Sequence, residues 1–350
     1  MMNVMHILQL KGVGGVQELV HNLVNGLAKN NITNFIFTFK GAEEIYIRQY
    51  MSENIPVFVS PYSVNDIRNI KLLYNQIKKE NITKIHVHNT VPQIYCSILL
   101  RFLSVEVSGY VTEHSLSSKR RKYKVFRLLD EFSYKPYKKI ISVSDSVDNV
   151  LKKWLKHLSS DKFEVVSNGI ELSRFKNAKA IDRKILCFND DDFVIISIGR
   201  LRPGKGFLTI INAIALLPEK YKLIIVGDGP QRGELETLIE KLGLRNRVVL
   251  TGNRSNVEEY LKSSNLYVSA SHTEGFGLTI IEATAAGLGV IGSDIPAFRE
   301  LLPSTQLFKI DDYAELAYII KYRQPCCAEN ILHNYSLENM AIQYIKVYKL

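Results

Sequence analysis

The sequence FVIISIGRLRPGKGFLTIINAIALLPEKYKLIIVGDGP, residues 193–230, contains one complete strand–helix–strand unit. Phe193–Ile198 and Lys222–Val226 are short, nearly continuous apolar runs, which is typical of strands that are buried on both faces. Between them, Leu208–Leu217 carries its apolar residues at helical spacing. Because parallel neighbouring strands need such a crossover helix, this unit predicts a parallel sheet that is covered by helices.

The same alternation of apolar strands and amphipathic helices runs through both halves of the chain. Further strands are predicted at Val4–Leu10, Asn34–Phe39, Pro56–Val59, Lys84–His88, Gly109–Thr112, Lys139–Val143, Lys162–Asn168, Arg247–Leu250, Leu266–Ser269 and Gly289–Ile291. The polar stretch Glu171–Asp192 separates the two series and is interpreted as an exposed linker. We therefore predict an α/β fold with two doubly wound, Rossmann-like domains, residues 1–170 and 171–335, and a deep cleft between them. A C-terminal helix at about 336–350 is expected to pack back on the first domain.

Length and composition fit a two-domain globular protein and exclude other classes. The 350 residues are 46% hydrophobic and 23% charged, and ordinary domains have ~100–200 residues. Since no apolar run reaches the ~18 residues of a membrane span, an integral membrane protein is excluded. Met1–Leu10 lacks the basic head and cleavage site of a signal peptide and is interpreted as a first strand. Without metal-binding spacing, the cysteines are expected to be buried or idle thiols in a reducing cytoplasm: Cys96, Cys187, Cys326 and Cys327.

The net charge of +10 is concentrated in one half of the chain. Residues 1–170 carry 23 Lys and Arg against 14 Asp and Glu, whereas residues 171–350 carry 22 against 21. A basic half indicates an anionic partner, such as lipid headgroups, nucleic acid or a phosphorylated substrate.

The segment SHTEGFGLTIIE, Ser271–Glu282, joins a strand to a helix and combines two glutamates with two glycines. Gly275 and Gly277 let a ligand approach the backbone closely, and the free amides at the start of the helix favour a phosphate group. The carboxylates of Glu274 and Glu282 suit sugar hydroxyl groups, which donate hydrogen bonds to ionised acceptors. The segment therefore predicts a site for a sugar diphosphate. The alternative is a plain connector with surface glutamates.

A second strand-to-helix loop, Ile198–Gly206, places Arg200 and Lys205 among glycines. Two cations and a close backbone approach suit a pyrophosphate group. The GxxxxGK[ST] spacing of a P-loop is absent from this loop. The alternative is a basic surface turn without a ligand.

Together these motifs resemble the nucleotide-sugar-binding domain of the family 4 retaining glycosyltransferases, which have the GT-B fold of two Rossmann-like domains. The matching residues follow the family's order: Val166–Ile170 with Phe175, Gly199-Arg200, Lys205-Gly206, Val226–Pro230 and Glu274–Gly277 through Glu282. The resemblance implies that Arg200 and Lys205 hold the donor diphosphate, with Glu274 on the donor sugar and Glu282 on the nucleotide ribose. The donor-binding residues that it implies in this half are Gly199, Arg200, Lys205, Glu274, Gly275, Phe276, Gly277, Leu278, Thr279 and Glu282. Arg200, Lys205 and Glu274 are also assigned to catalysis.

The first half resembles the family's acceptor domain less specifically. Gly12–Val16 follows the first predicted strand and matches a Gly-rich turn that approaches the donor phosphates in the family. Gly14 and Gly15 are therefore assigned to donor binding, and the alternative is a plain tight turn. His114, within Thr112–Ser115, occupies the place of the family's active-site histidine and is assigned to catalysis, with a structural role as the alternative.

No metal or other cofactor is expected. The family holds the diphosphate with cations and backbone amides, so the resemblance implies a metal-independent enzyme. Asp190–Asp192 looks like an Asp-x-Asp metal motif, but it precedes a buried strand and is interpreted as exposed linker. His86 and His88 alternate with apolar residues on a predicted strand, and a metal site would need a third ligand, for which the sequence offers no nearby candidate.

The basic character of the first half is greatest at residues 117–139, where nine Lys or Arg accompany aromatic and aliphatic residues. Such a segment suits the headgroup region of an anionic membrane, and its position after His114 would border the acceptor entrance. The residues assigned to the membrane or acceptor side are Lys119, Arg120, Arg121, Lys122, Lys124 and Arg127. The alternative is a solvated basic helix whose apolar side faces the core.

We therefore expect a cytoplasmic retaining glycosyltransferase that is peripheral on the inner face of the plasma membrane. It would transfer a hexosyl or N-acetylhexosaminyl group from a UDP or GDP sugar to a polyprenyl-linked or other membrane-associated glycan, in lipopolysaccharide or capsular polysaccharide biosynthesis. The alternatives are a soluble or protein acceptor and a basic nucleic-acid-binding protein, although no nucleic-acid motif is present. A dinucleotide-dependent oxidoreductase is disfavoured because Gly12–Gly15 does not meet the GxGxxG pattern.

Overall fold

A computed structural model of the protein describes residues 2–12, 15–103, 107–116, 120–323, 325, 327 and 329–350. It consists of two compact units. Unit 1 comprises Met1–Gly169 together with Asn334–Leu350, and unit 2 comprises Ile170–His333. The chain therefore leaves unit 1 once and returns to it.

Unit 1 is built on a parallel sheet. Its strands are β1 (Asn3–Ile7), β2 (Thr33–Thr38), β3 (Val57–Val59), β4 (Lys84–Val87), β5 (Ser108–Glu113), β6 (Lys139–Ser142) and β7 (Phe163–Val165). The helices between them are α1 (Gly15–Ala28), α2 (Glu44–Ser52), α3 (Asn69–Lys79), α4 (Thr90–Phe102), α5 (Phe126–Tyr134) and α6 (Asp145–Trp154). Among the described residues, the strands pair in the order β3-β2-β1-β4-β5-β6-β7, and every pairing is parallel.

Unit 2 repeats this architecture. Its strands are β8 (Phe193–Ile198), β9 (Tyr221–Val226), β10 (Val248–Gly252), β11 (Leu266–Ser269), β12 (Gly289–Ser293) and β13 (Leu307–Phe308). Its helices are α7 (Leu172–Lys176), α8 (Phe207–Ala215), α9 (Arg232–Lys241), α10 (Val257–Lys262), α11 (Leu278–Ala285), α12 (Pro296–Arg299) and α13 (Tyr313–Tyr322). The parallel strand order is β10-β9-β8-β11-β12-β13. No helix described in either unit has both the length and the apolar character that a membrane span needs.

The apolar strands and helix faces fill a core in each unit. In unit 2, Ile195 and Leu223 of the sheet pack with Ile210 of α8 and Leu316 of α13, and all four are fully buried. Burying one aliphatic side chain of this size stabilises the folded state by roughly 1.5–3 kcal/mol. This core fixes the carboxyl ends of the central strands in position.

The helix α14 (Leu337–Lys349) completes the core of unit 1. Its buried residues recur at helical spacing and include Met340, Ala341, Tyr344, Val347 and Tyr348. It packs on α1, where a Cβ atom at Gly26 would lie 2.8 Å from the Cβ atom of Ala341. The Tyr348 hydroxyl is hydrogen-bonded to His86 Nδ1 at 2.7 Å. Residues from the two ends of unit 1 in the sequence thus share one core.

In each sheet, the direction in which successive strands are added reverses beside the first strand. β1 lies between β2 and β4, and β8 lies between β9 and β11. In doubly wound sheets the ligand crevice lies at such a reversal, outside the carboxyl ends of the strands. The loops after β8 and β11, which carry the predicted motifs of unit 2, both lie at this position.

The interpretation of Glu171–Asp192 as an exposed linker is wrong in part. The stretch includes α7, which contacts α10 and α11, and Phe175 of this helix is buried. Asp192 is also buried, where it accepts a hydrogen bond from the amide of Asn189 at 2.8 Å and lies 3.8 Å from Lys222 Nζ. The stretch is therefore anchored to unit 2 by an apolar side chain and by a paired carboxylate.

Candidate active site

The loop after β8 and the loop after β11 lie against each other. The backbone amide of His272 donates a hydrogen bond to the carbonyl of Gly204 at 2.9 Å. Gly206 precedes α8 with a φ of 69°, and a Cβ atom there would lie 2.0 Å from the carbonyl oxygen of Ala270. Only glycine fits this position, because both the positive φ and the close approach exclude a side chain.

This contact brings two of the predicted site residues together. Lys205 Nζ forms an ion pair with Glu274 Oε1, and the Ser271 hydroxyl donates to the same oxygen at 2.8 Å. The charged side chains are mostly buried, with exposed fractions of 19% for Lys205 and 23% for Glu274. A cation and an acceptor carboxylate are thus held side by side, where a sugar diphosphate needs one for its phosphates and the other for its hydroxyls.

The second predicted carboxylate lies on α11. Gly277 precedes this helix with a φ of 117°, which favours glycine. A Cβ atom at this position would lie 3.1 Å from side-chain atoms of Leu301 and Phe298. Glu282 lies in the second turn of the helix and is 9% exposed. A buried carboxylate at the carboxyl edge of the sheet fits the hydroxyl-binding role that the sequence predicts.

Tyr267, on β11, is fully buried and supports the first turn of α11, a role that the sequence reasoning missed. Its hydroxyl donates to Thr279 Oγ1 in the first turn of α11 at 2.6 Å. Burial raises the pKa of Tyr267, and the charges of Glu282 and Glu274 are further causes. The phenol is therefore a neutral donor close to both carboxylates. An aromatic hydroxyl in the apolar strand Leu266–Ser269 was the only signal that could have indicated it.

A third loop, after β9, packs against the loop after β8. A Cβ atom at Gly227 would lie 2.1 Å from the carbonyl oxygen of Gly199, and one at Gly229 would lie 2.3 Å from that of Leu201. Glycine is required at both positions because the two backbones are in contact. Arg200 lies in this region with an exposed side chain, and it makes no hydrogen bond or ion pair within the described parts of the chain. Its guanidinium group is free to meet an anionic ligand.

In unit 1, the loops after β1 and β4 are also joined. The amide of Gln9 donates to Asn89 Oδ1 at 2.7 Å, and Gly12 adopts a φ of 76°. Gly15 is the first residue of α1, at the position expected for a phosphate-binding turn. Gly14 lies outside the described residues.

His114 directly follows β5 and is partly buried. Its Nε2 atom is buried without a hydrogen-bond partner among the described residues. Burial lowers the pKa of His114 to about 4, so the imidazole is neutral at pH 7. A neutral ring at the carboxyl edge of the sheet can exchange hydrogen bonds with a ligand without carrying charge.

Comparison with known proteins assigns both units. The family model described as "Glycosyl transferases group 1" matches residues 178–322, and the model described as "Glycosyltransferase Family 4" matches residues 13–174. The two matches follow each other and together cover most of the chain. The chain belongs to the family 4 glycosyltransferases. Glycosyl transfer is therefore the class of reaction that this protein performs.

Similar proteins include enzymes of glycan assembly. The glycosyltransferase is 28% identical over 270 residues to UDP-Gal:alpha-D-GlcNAc-diphosphoundecaprenol alpha-1,3-galactosyltransferase of Escherichia coli, which is 71% of this chain and 69% of that enzyme. It is 29% identical to the O-antigen biosynthesis glycosyltransferase WclY of Escherichia coli over 61% of each chain, less than two thirds of that relative. Among solved structures, Anabaena HepE (Alr3699) in complex with UDP and glucose has a TM-score of 0.84, with 18% identity over 100% of both chains. This similarity confirms the predicted GT-B fold.

Three histidines of unit 1 lie on one face of the sheet. In the glycosyltransferase, β1 and β4 are aligned with His6 opposite His86, and His88 lies two residues further along. One ring nitrogen from each histidine lies within 4.8 Å of one ring nitrogen from each of the other two. The expectation that no third ligand lies near His86 and His88 is therefore wrong, because the parallel register brings His6 beside them. All three are buried, and burial is the main cause that lowers the pKa of each.

The predicted membrane cations of the glycosyltransferase have two different surroundings. Arg120 pairs with Asp130 and Arg121 with Glu113, with nitrogen–oxygen distances of 2.9 and 2.7 Å. These guanidinium groups therefore point into unit 1, because two buried or partly buried carboxylates lie beneath the segment. Lys124 is exposed and Arg127 is partly exposed. Lys119 and the side chain of Lys122 lie outside the described residues.

Proposed function

We propose that this glycosyltransferase moves a sugar from a nucleotide-diphosphate sugar to a lipid-linked glycan at an anionic membrane surface, with retention of the anomeric configuration. The product would belong to a surface polysaccharide such as O-antigen or capsule. A UDP sugar is favoured over a GDP sugar, because the structure of HepE, which has the same fold, holds UDP. The donor part of the proposal rests on the Lys205–Glu274 pair, and the acceptor part rests on an exposed apolar surface of unit 1.

The ion pair of Lys205 and Glu274 supports a direct role in transfer. Lys205 and the exposed Arg200 would neutralise the charge that grows on the leaving diphosphate in the transition state. Glu274 would accept a hydrogen bond from a hydroxyl group of the donor sugar. In front-side attack, the acceptor oxygen bonds to the anomeric carbon as the bond to the diphosphate breaks, and the departing phosphate oxygen takes the hydroxyl proton. This sequence of steps requires neither a nucleophilic side chain nor a metal ion.

The acceptor part rests on what we call the α4–α5 face, where α4 packs against α5. Arg101 joins the two helices by donating to the carbonyl of Phe132 at 2.7 Å, with its guanidinium 4.0 Å from the centre of that ring. The exposed apolar side chains that define the face are Ile94, Ile98, Phe102, Tyr123, Val125, Phe126, Leu128, Leu129 and Phe132. Soluble proteins rarely expose so many large apolar side chains in one region, and such patches mark interaction surfaces.

The charges around the α4–α5 face favour an anionic lipid surface as its partner. Lys124 lies between Tyr123 and Val125 of this face, Lys135 directly follows α5, and both lysines are exposed. Apolar side chains can enter the acyl boundary while lysines contact the headgroup phosphates, each contributing about 1 kcal/mol. The related Escherichia coli galactosyltransferase is named for an acceptor carried on diphosphoundecaprenol, a membrane lipid. A lipid-linked acceptor would therefore lie where such a surface could reach it.

The acceptor is tested by a transfer assay on vesicles. UDP-galactose, UDP-glucose and UDP-N-acetylglucosamine are each incubated with vesicles of phosphatidylglycerol and phosphatidylcholine that carry GlcNAc-diphosphoundecaprenol. We expect transfer from one of these donors, with an α-linkage in the product by NMR and no loss on addition of EDTA. A β-linked product contradicts retention, and a strict need for a divalent ion contradicts the metal-independent mechanism. Transfer to a free oligosaccharide but not to vesicles favours the alternative of a soluble acceptor.

The membrane contact is tested with a matched pair of variants. Leu129→Glu places a charge on the α4–α5 face, whereas Leu216→Glu does the same at an exposed leucine of unit 2. We expect Leu129→Glu to weaken binding to anionic vesicles by roughly 10- to 150-fold, since an inserted leucine contributes roughly 1.5–3 kcal/mol. Leu216→Glu should sediment like the wild type. If the wild type does not sediment with these vesicles even at low salt, the membrane proposal is wrong.

A further inference from the structure

Two imidazole nitrogens without hydrogen-bond partners lie at the carboxyl ends of neighbouring strands in unit 1. His88 directly follows β4 and is 3% exposed, and its Nδ1 atom has no partner among the described residues. His114 follows β5, and its Nε2 atom is also buried without a hydrogen-bond partner among the described residues. The two ring centres are 5.7 Å apart. Buried polar atoms are rarely left without partners, and this pair lies beside the β1–β4 reversal, where doubly wound sheets bind their ligands.

The hydrogen bonds behind His88 fix which of its nitrogens carries the proton. Asn34 Nδ2 donates to the carbonyl oxygens of Ile32 and Val24 at 2.9 and 3.4 Å, which orients Asn34 Oδ1 towards His6. His6 Nε2 must then donate to Asn34 Oδ1 at 3.2 Å, leaving His6 Nδ1 as an acceptor. The partner of His6 Nδ1 is His88 Nε2, also at 3.2 Å, so His88 Nε2 carries the proton. His88 Nδ1 is therefore a lone-pair acceptor.

The surroundings keep this acceptor neutral. Burial is the largest cause that lowers the pKa of His88, followed by its neighbours His86, His6 and His114. A neutral lone pair attracts a hydroxyl donor and repels a phosphate oxygen, which is itself an acceptor. The chemistry therefore selects the hydroxyl group of a sugar or other polyol over an anionic group.

We propose that His88 is a ligand-contacting residue whose Nδ1 atom accepts a hydrogen bond from a sugar hydroxyl bound beside His114. Asn34 and His6 are positioning residues, because they set the tautomer of His88 without touching the ligand. The proposal rests on the glycosyltransferase function proposed above and adds a contact to its reaction centre. The hydroxyl belongs either to the donor sugar or to the acceptor, and the assays below separate these sources.

Two conservative variants separate ligand contact from structural support. His88→Asn retains an acceptor near the position of Nδ1 but cannot reach His6, whereas His88→Gln retains a donor to His6 but has no acceptor at Nδ1. If Nδ1 contacts the ligand, we expect His88→Gln to lose about tenfold in kcat/KM, the scale of one hydrogen bond, and His88→Asn to lose less. Thermal stability should follow the opposite order. If activity follows the order of stability, or if both variants match the wild type, His88 has only a structural role.

The source of the hydroxyl is found by comparing two reactions of each variant. Hydrolysis of the donor, chosen from the panel of UDP sugars, reports on the donor sugar, because water is then the acceptor. Transfer to GlcNAc-diphosphoundecaprenol in vesicles reports on both substrates. A loss in both reactions assigns the contact to the donor sugar, and a loss in transfer alone assigns it to the acceptor. His157→Gln, at an exposed histidine of the same unit, is the matched control and should behave like the wild type.

The tautomer is measured independently of activity. We expect ¹⁵N NMR of the ring nitrogens to show His88 protonated on Nε2 in the wild type and to lose this preference in Asn34→Leu. Protonation on Nδ1 in the wild type overturns the proposal even if no UDP sugar is turned over, in which case the proposed function fails separately.

Because His6, His86 and His88 lie close enough to share an ion, EDTA-treated protein is also titrated with Zn²⁺. Tight stoichiometric binding that disappears in His6→Ala would show that the histidines form a metal site, and the proposed hydrogen bonds from Asn34 through His6 to His88 would be wrong.

Discussion

The two units hold their polar residues in different ways. In unit 2, Lys205 and Glu274 lie in loops after strands, where their ion pair retains some contact with water. In unit 1, His6 and His86 lie within strands and are completely buried. A pair in a loop can exchange partners when a substrate arrives, whereas hydrogen bonds inside a sheet are set when the chain folds. Unit 2 is therefore suited to binding a substrate group whose charge changes during the reaction. Unit 1 is suited to presenting neutral groups in fixed orientations.

The largest expected effect tests the charged pair of unit 2. Lys205→Ala and Glu274→Ala should each lower kcat by about 10²–10³-fold, as does the loss of one group that stabilises charge in a transition state. Arg202→Ala, at an exposed cation of the same loop, is the matched control and should retain most of the activity. Steady-state kinetics with the donor identified on vesicles measures the effect. Full activity of Lys205→Ala or Glu274→Ala, or an equal loss in Arg202→Ala, would contradict the assignment of this pair to the reaction.

The next effect tests whether the loops of unit 2 depend on their close contact. Gly206→Ala should destabilise the fold by roughly 3 kcal/mol, because the added Cβ atom would meet the carbonyl of Ala270 and the backbone has a positive φ. Gly204 has a φ of 85° but no neighbouring atom within 4 Å of an added Cβ. Gly204→Ala should therefore cost only about 1 kcal/mol, from backbone strain alone. Urea denaturation of the two variants separates steric contact from strain, and equal losses would show that the contact contributes nothing.

Acid should weaken unit 1 more than unit 2. Burial lowers the pKa of His6 to about 4, whereas an unfolded chain titrates near 6.5, so the unfolded state takes up the proton first as the pH falls. The contribution of His6 to stability is unchanged above about pH 6.5, and stability falls by about 3 kcal/mol as the pH drops to about 4. The described histidines of unit 2, His272 and His333, are not buried. Hydrogen exchange at pH 7 and pH 4.5 should show greater loss of protection in β1 than in β8, and equal loss would contradict this difference.

The smallest expected effect tests whether Glu282 and Glu274 have separate roles in donor binding. Glu282→Ala should weaken UDP binding by roughly 1.5–3 kcal/mol, because a charged acceptor is lost from the ribose hydroxyls. Glu274→Ala should leave UDP affinity unchanged, since its expected partner is the sugar. Titration calorimetry with UDP alone compares the two variants. If both bind UDP equally, the separate assignment of ribose and sugar is wrong.

The sequence predicted unit 2 in more detail than unit 1 because the evidence there is local. The cation and the carboxylate of unit 2 each lie within a short strand–loop–helix segment, and the order of the sheet then brings Lys205 beside Glu274. In unit 1, His6 and His88 are separated by 82 positions in the chain and meet only through the register of β1 with β4. No periodicity within either strand specifies that register.

The basic segment, residues 117–139, shows that the partners of charged side chains are equally hard to predict from the sequence. Arg120 and Arg121 are adjacent to other cations in the sequence, which favours a solvent-facing or membrane-facing role. Their partners Glu113 and Asp130 lie 8 and 10 positions away and face them only after β5 and α5 have packed. The sequence likewise left open whether the apolar side of α5 faces the core, and the structure shows it exposed. Helical spacing predicts an apolar stripe on a helix but does not say what covers that stripe.

The return of α14 to unit 1 has a consequence for the order of events during synthesis. The chain leaves the ribosome with its N-terminus first. His86 and Thr112, however, are hydrogen-bonded to Tyr348 and Tyr344, which are synthesised last. The core of the first unit to emerge therefore stays incomplete until residues 337–349 leave the exit tunnel. Unit 2, residues 170–333, can finish folding before that moment. A pause in translation within unit 2 would leave the nascent first unit with an uncovered apolar surface on α1, which is the state in which a chaperone would bind it.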